Sequence, residues 1–269
     1  MKKVYLLISA LIVSMLAFAN GVEVKGIYYL FSGAYATVTY PGTVHYENNT
    51  YTGVVEIPST VNYNGTDYTV NAIGFGAFCN TSHLVSVTIP NSVVSIGSSA
   101  FAASYDLKYI TIPGSVKSIE EDAFNSCTSL KELNFNEGTK WIEAAAFNHC
   151  TSLKSIVFPS TIESLGESCF ENCTGLTTIE CAAIYPPSCE NRAFYGVNKQ
   201  IPVYVPKNCV GAYNGADGWK DFANIQEKKD SSFEIPSIID NSGNKLLRNG
   251  QLFIQRGDEV FNAQGARVR

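Results

Sequence analysis

The sequence predicts a β-rich solenoid of stacked 23-residue turns with parallel strands, an N-terminal antiparallel β cap and a short C-terminal β appendage. Three observations predict it. Leu84, Leu107, Leu130, Leu153 and Leu176 are each 23 residues apart. The pair Ala77-Phe78 returns as Ala100-Phe101, Ala123-Phe124, Ala146-Phe147, Cys169-Phe170 and, one residue late, Ala193-Phe194. Within each period, apolar and polar residues alternate over short extended stretches. A unit this short cannot bury its own apolar faces, so it must stack on copies of itself. Five periods are clear between Leu84 and Phe194, with a partial one before them.

One unit shows how the turn is built. From Leu107 to Ile112 the apolar side chains fall at the first, fourth and sixth positions while Tyr109 and Thr111 face outward, the pattern of a strand with one buried face. Pro113 stops that strand, as Pro90 and Pro159 do in their units, where no further backbone N–H is needed. Val116 and Ile119 then point inward on a second extended stretch, and Phe124 is the bulky filler.

The phrase Leu-x-x-Ile-x-Ile-Pro-x-x-Val-x-x-Ile-x-x-x-Ala-Phe-x-x-Cys-x-x-Leu resembles the BspA-like leucine-rich repeats of cell-surface and secreted proteins of anaerobic bacteria. The resemblance covers roughly Val70 to Val205. It implies a leucine-rich-repeat solenoid, each turn adding a strand to a parallel sheet, and the role of an adhesin or interaction protein without catalysis. The chain departs from the pattern at Asn136-Glu137-Gly138, which replaces the Pro-containing turn, and after Cys181, where Ala182-Ala183-Ile184-Tyr185-Pro186-Pro187 closes the array.

The ends divide the chain further. Residues 20–70 hold β-rich runs separated by Ser-Gly, Pro-Gly and Glu-Asn-Asn turn signals, expected as an antiparallel cap on the open edge of the first turn. The solenoid with its C-terminal cap is expected over 71–226. That cap resembles the closing segment of the same family: the strand Val203-Tyr204-Val205, a short helix near Cys209–Asn214 and an aromatic plug at Trp219 and Phe222. Residues 227–269 read as a linker and a C-terminal β element, either a sorting or attachment signal or a plain appendage.

Chemistry finds little support. There is no Gly-x-Ser-x-Gly elbow, no phosphate-cradling Gly-rich loop, and no zinc-protease pairing among His45, His83 and His149. Glu120, Glu121 and Asp122 cluster in a turn where solvation explains them; only a glycosidase with two carboxylates distant in sequence stays open. Cys127, Cys150 and Cys173 recur every 23 residues and should form a column. Small buried side chains are one reading of it, and disulfides such as Cys150–Cys173 or Cys181–Cys189 are another. The spacing does not suit a metal site, and no cofactor is implied.

Binding is therefore sought on the outward positions. Tyr109, Thr111 and Glu132 face out on the first strand, flanked by the like-charged column Lys108, Lys131 and Lys154. On the second stretch Trp141 stands where Ser95, Ser118 and Ser164 stand in other units. Tyr109, Trp141, Thr111, Glu132, Lys108 and Lys131 are the candidate partner-binding residues; a solvated lysine face, and a Trp141 packed on a neighbouring lysine stem, are the competing readings. The expected partner is a host or bacterial surface protein, with a glycan as alternative, and a passive scaffold is the second function class. A net charge of −5 and the lack of a basic cluster argue against nucleic acid.

The N-terminus opens with Lys2 and Lys3, continues with an apolar run from Val4 to Phe18 and presents Ala17-Phe18-Ala19 before Asn20. That is a signal peptide over 1–19 rather than a membrane span, which needs about 20 apolar residues. No cysteine lies in the first 78 residues to be acylated. The protein is therefore expected to be secreted or held at the outer cell surface, or in the periplasm, without a transmembrane span after cleavage. N-terminal sequencing of the exported protein should begin at Asn20; a product that keeps Lys2 and Lys3 refutes the cleavage.

Overall fold

The computed structural model describes residues 21–42 and 49–228, together with the backbone of four strands between 245 and 268. The expected signal peptide and His45 lie outside the described residues. Two compact units divide the chain, the first ending at Lys228 and the second running from Lys229 to Arg269. The second is a four-stranded antiparallel sheet of Lys245–Arg248, Gln251–Arg256, Glu259–Asn262 and Arg267–Val268.

The first unit is the solenoid, and each turn contributes to two sheets. The longer strands form an eight-stranded parallel sheet in the order Thr52–Glu56, His83–Thr88, Tyr109–Ile112, Glu132–Phe135, Ser155–Phe158, Thr178–Cys181, Pro202–Val205 and Asn224–Glu227. The two-residue strands Ser95–Ile96, Ser118–Ile119, Trp141–Ile142, Ser164–Leu165 and Ser188–Cys189 form the second, which is extended at its N-terminal side by Thr66–Ile73 and Tyr35–Thr39. Adjacent strands of neighbouring turns are parallel and in the register the period demands, as in Glu132 opposite Tyr109 and Ile142 opposite Ile119. The third side of each turn is a corner segment rather than a strand. Its backbone still bonds to the next turn, with Phe101 N–H donating to Ala123 O, Phe124 N–H to Ala146 O and Phe147 N–H to Cys169 O.

Antiparallel strands occur where the cap is expected: Val22–Val24, Ile27–Ser32 and Tyr35–Thr39 make a meander, and Thr60–Tyr63 returns against Thr66–Ile73. Asn64-Gly65 turns that hairpin with positive φ at both residues (51° and 80°), the conformation that matches strand twist. The region is not a separate layer, however. Tyr35–Thr39 runs parallel to Thr66–Ile73, and Thr52–Glu56 runs parallel to His83–Thr88, so residues 21–73 begin both solenoid sheets. At the other end Asn224–Glu227 adds one more strand than the repeat pattern signals.

A column of stacked phenylalanines runs through the interior. Phe78, Phe101, Phe124, Phe147, Phe170 and Phe194 follow one another at centroid distances of 4.9, 4.7, 5.0, 5.1 and 5.8 Å, with ring planes within 13° of parallel. Strands within a sheet lie about 4.7–4.9 Å apart, so one ring per turn stacks without stretching the backbone. Tyr51 closes the N-terminal end against Phe78 at 4.6 Å, held by donating its hydroxyl to Thr39 O and accepting from Tyr28 N–H. Trp219 and Phe222 close the other end, edge-on to Phe194 at 5.3 and 5.4 Å. Trp219 is fully buried and donates its indole N–H to Pro187 O, while Tyr213 of the helix Val210–Gly215 donates to Ala183 O.

Beside the stack runs a column of donors. The Sγ of Cys127, Cys150 and Cys173 donates to the carbonyl of Phe101, Phe124 and Phe147 in the preceding turn, at 3.1, 3.3 and 3.2 Å. Ser104 does the same to Phe78 O with its hydroxyl at 2.7 Å, and Thr81 reaches that oxygen at 3.2 Å. The cysteines are thus more than small apolar fillers. Serine and cysteine each supply this donor across turns, Thr81 bonding instead within its own turn, and all eight cysteines are free thiols.

The break at Asn136-Glu137-Gly138 has a steric cause. Gly138 sits at φ +134°, and a Cβ there would lie 2.1 Å from Gly114 O. Its N–H donates to Thr161 Oγ1, and the Glu137 carboxylate accepts from the backbone and hydroxyl of Ser160 in the next turn.

Two variants test the interior. Phe124→Ala should cost about 3–5 kcal/mol in urea unfolding, the range for removing a buried ring from a packed core; a cost near that of a surface residue would show that the stack is not supporting the turns. Cys127→Ala should cost about 1–2 kcal/mol and Cys127→Ser clearly less, because serine keeps the donor to Phe101 O. Equal costs would refute the donor role.

Candidate functional site

Register sorts the candidates onto two faces. Ser86, Tyr109, Glu132, Ser155 and Thr178 occupy one outward column of the long-strand sheet. Thr111, Asn134, Val157, Glu180, Tyr204 and Gln226 occupy the next. Tyr109, Thr111 and Glu132 are therefore neighbours, as expected, with Lys108 and Lys131 one residue upstream and joined by Lys131 N–H to Lys108 O. A shallow depression of about 320 Å³ lies here, lined by Ser86, Thr88, Tyr109, Thr111, Asn91 and Asn136.

Trp141 belongs to the other sheet, between Ser118 and Ser164. It does not share a patch with Tyr109. At 40 % exposed it is not free of contact, since the Lys140 ammonium lies 5.5 Å from its ring centroid and also pairs with Glu163 at 2.6 Å. The contact comes from the charged end of the lysine next in sequence, a cation over the ring, rather than from a lysine stem. Cross-turn contacts between polar side chains follow the period, as His83 with Asp106 at 3.4 Å does.

Exposed apolar side chains add to the candidates chosen from sequence. Val157 is 46 % exposed, comparable with Tyr109 at 43 %, and stands two turns further along the same face. Its signal was present: an apolar residue at an outward strand position. Tyr185, 83 % exposed, and Ile184 project from the closing turn beside a groove lined by Ser160, Glu163, Pro186 and Pro187. The signal there is length, because Cys181 to Ser188 is one residue longer than Phe158 to Ser164.

The buried titratable groups are committed to structure. Burial pushes the thiols of Cys79, Cys127, Cys150, Cys169 and Cys181 up, and that of Cys189 up to about 12. At neutral pH such thiols stay protonated, and the thiolate is the reactive form. Lys199, its ammonium held down by burial, donates to Phe194 O and sits 4.3 Å from the Phe222 ring centroid, pinning the C-terminal plug. Glu171 accepts from Arg192 across adjacent turns. Among the described residues no three His, Cys, Asp or Glu side chains are placed to share a metal ion. No helix among them is long and apolar enough to cross a membrane.

Comparison with known proteins agrees with this architecture. The sequence profile of the BspA type leucine rich repeat region matches six copies, over residues 61–177 and 132–216. A leucine rich cell surface protein of Faecalibacterium prausnitzii has a similar fold, with a TM-score of 0.53 and 20 % identity over 90 % of this chain. The chain spans 60 % of that protein's length. A leucine-rich repeat protein of T. pallidum is similar with a TM-score of 0.56 and 23 % identity, covering 75 % of this chain and 93 % of its own. No curated protein matches the chain.

Proposed function

The chain belongs to the BspA-type leucine-rich repeat family, whose members are usually bacterial surface proteins, and from that premise we propose that it is an exported or cell-surface protein that binds a protein partner without catalysis. The binding surface is the outward face of the long-strand sheet, with Tyr109, Thr111, Glu132, Lys108 and Lys131 at its centre. One observation carries the reading: strand after strand, the inward positions are consumed by the core, while the outward ones form a continuous surface that exposes Tyr109 and Val157. Tyrosine gives large contact area at low entropic cost, and such residues anchor interfaces when polar neighbours surround them. Trp141 falls outside this surface because its sheet is the other one.

An array of immobilised host-matrix and bacterial surface proteins tests the reading. The chain should retain at least one of them, and Tyr109→Ala should weaken that binding about tenfold or more, whereas Trp141→Ala leaves it unchanged. Loss on Trp141→Ala alone would move the site to the short-strand sheet, and retention of nothing on the array would sink the proposal.

A further inference from the structure

Lys108, Lys131 and Lys154 precede Tyr109, Glu132 and Ser155, which are paired in register, so the three lysines stand in line up the solenoid axis. Among the described residues, none of the three has a hydrogen-bond or ion-pair partner for its ammonium. The other basic side chains of residues 71–228, Lys207 apart, all have one: Lys117 on Gly114 O, Lys140 on Glu163, Arg192 on Glu171, Lys199 on Phe194 O, Lys220 on Asp217 and Lys228 on Glu180. Like charges on neighbouring turns repel, and no ion pair among the described residues neutralises this column. In a chain of net charge −5 it is a local positive strip, complementary to negative charge outside.

The spacing says what shape that charge should take. Neighbouring strands are about 4.7–4.9 Å apart, so the lysines repeat at that interval. An α-helix advances about 5.4 Å per turn, so a helix laid along the solenoid axis with one carboxylate per turn drifts only about 1.2 Å across three lysines. A lysine stem of four methylenes absorbs that drift. Carboxylates on one face of an extended strand repeat at about 6.6–6.8 Å and drift about 4 Å over the same span. We propose that Lys108, Lys131 and Lys154 form the docking strip for an acidic helix of the partner protein, which lies along the solenoid with a Glu or Asp on each turn. Tyr109, beside Lys108, supplies the adjoining ring contact. The Glu132 carboxylate, beside Lys131, opposes the same ligand. The inference rests on the partner-binding reading of the long-strand face and specifies its ligand.

The probes are labelled peptides of about 20 residues, long enough to be helical when rich in alanine and lysine-free. One carries glutamates at one-per-turn spacing on a single face; the second has the same composition with its glutamates spread around the helix; polygalacturonate is the third probe. The full chain should bind the first peptide at least about fivefold more tightly than the second, with affinity that falls as salt rises. Lys108→Gln, Lys131→Gln and Lys154→Gln combined should weaken it about tenfold, Lys207→Gln should not, and Glu132→Gln should tighten it about two- to threefold. Thermal unfolding of the triple variant no lower than that of the parent chain excludes misfolding, since its ammonium groups have no partners to lose. Equal affinity for the two peptides, indifference to the triple variant, or preference for polygalacturonate would overturn the acidic-helix assignment. If those results come with array binding that still depends on Tyr109, the face reading survives and only the ligand falls.

Discussion

The structure depends on a coincidence of two distances. Parallel strands joined by backbone hydrogen bonds repeat at about 4.7–4.9 Å, and flat aromatic rings stacked in offset fashion repeat at nearly the same interval. One phenylalanine per turn therefore satisfies both ladders, and the rings from Phe78 to Phe170 follow at 4.7–5.1 Å. The step widens to 5.8 Å only at Phe194, where the period slips by one residue. At that point the stack is handed to Trp219 and Phe222, whose edge-on packing tolerates a wider and less regular spacing.

Presenting that ring has a conformational cost in every turn. The corner that carries each Ala-Phe pair holds two left-handed residues: Ser99 and Ala103, Asp122 and Ser126, Ala145 and His149, Ser168 and Asn172. Each non-glycine residue in that region is disfavoured by about 1–2 kcal/mol. The corner keeps it because the same geometry aims N–H groups at the next turn, as in Ser99 to Glu121 O, Asp122 to Ala144 O and Ala145 to Glu167 O. The donor column adds to this bracing, since Phe101 O accepts both from Ser104 N–H in its own turn and from Cys127 Sγ in the next. An isolated turn would have the strain without these bonds, which is why the repeat is stable only as a stack.

This logic made the fold legible. A fixed period of leucines and Ala-Phe pairs places the inward residues of the repeat, so the parallel strands and the proline stops could be read before the structure, and the aromatic plug followed from the family resemblance. What escaped has a physical reason in each case. Thr52–Glu56 and Asn224–Glu227 join the long-strand sheet through backbone pairing, which does not require the side chains of the repeat. The thiol of Cys127 looked like an apolar filler because a donor aimed at a carbonyl one turn away leaves no mark in composition; its mark is substitution by Ser104 and Thr81 in the same column. The site was legible as a set of outward positions, and the separation of Trp141 from Tyr109 follows from the strand each occupies.

The repeat also explains why function is harder to read than fold. A period conserves what faces inward, and any outward residue it repeats could be either a solubility feature or a ligand contact. Partners separate the two. Lys140 also stands in a column with another lysine, Lys117, yet the first is neutralised by Glu163 and the second is bonded to Gly114 O, so that column is complete within the protein. Trp141 follows Lys140 in sequence and shares its environment, with the ammonium 5.5 Å from its ring. The column at Lys108 has the same periodicity and the opposite bookkeeping, with three charges and no acceptor among the described residues. Two lysine columns written by one repeat thus acquire different meanings only when the fold reveals which of them still has charge to give to another molecule.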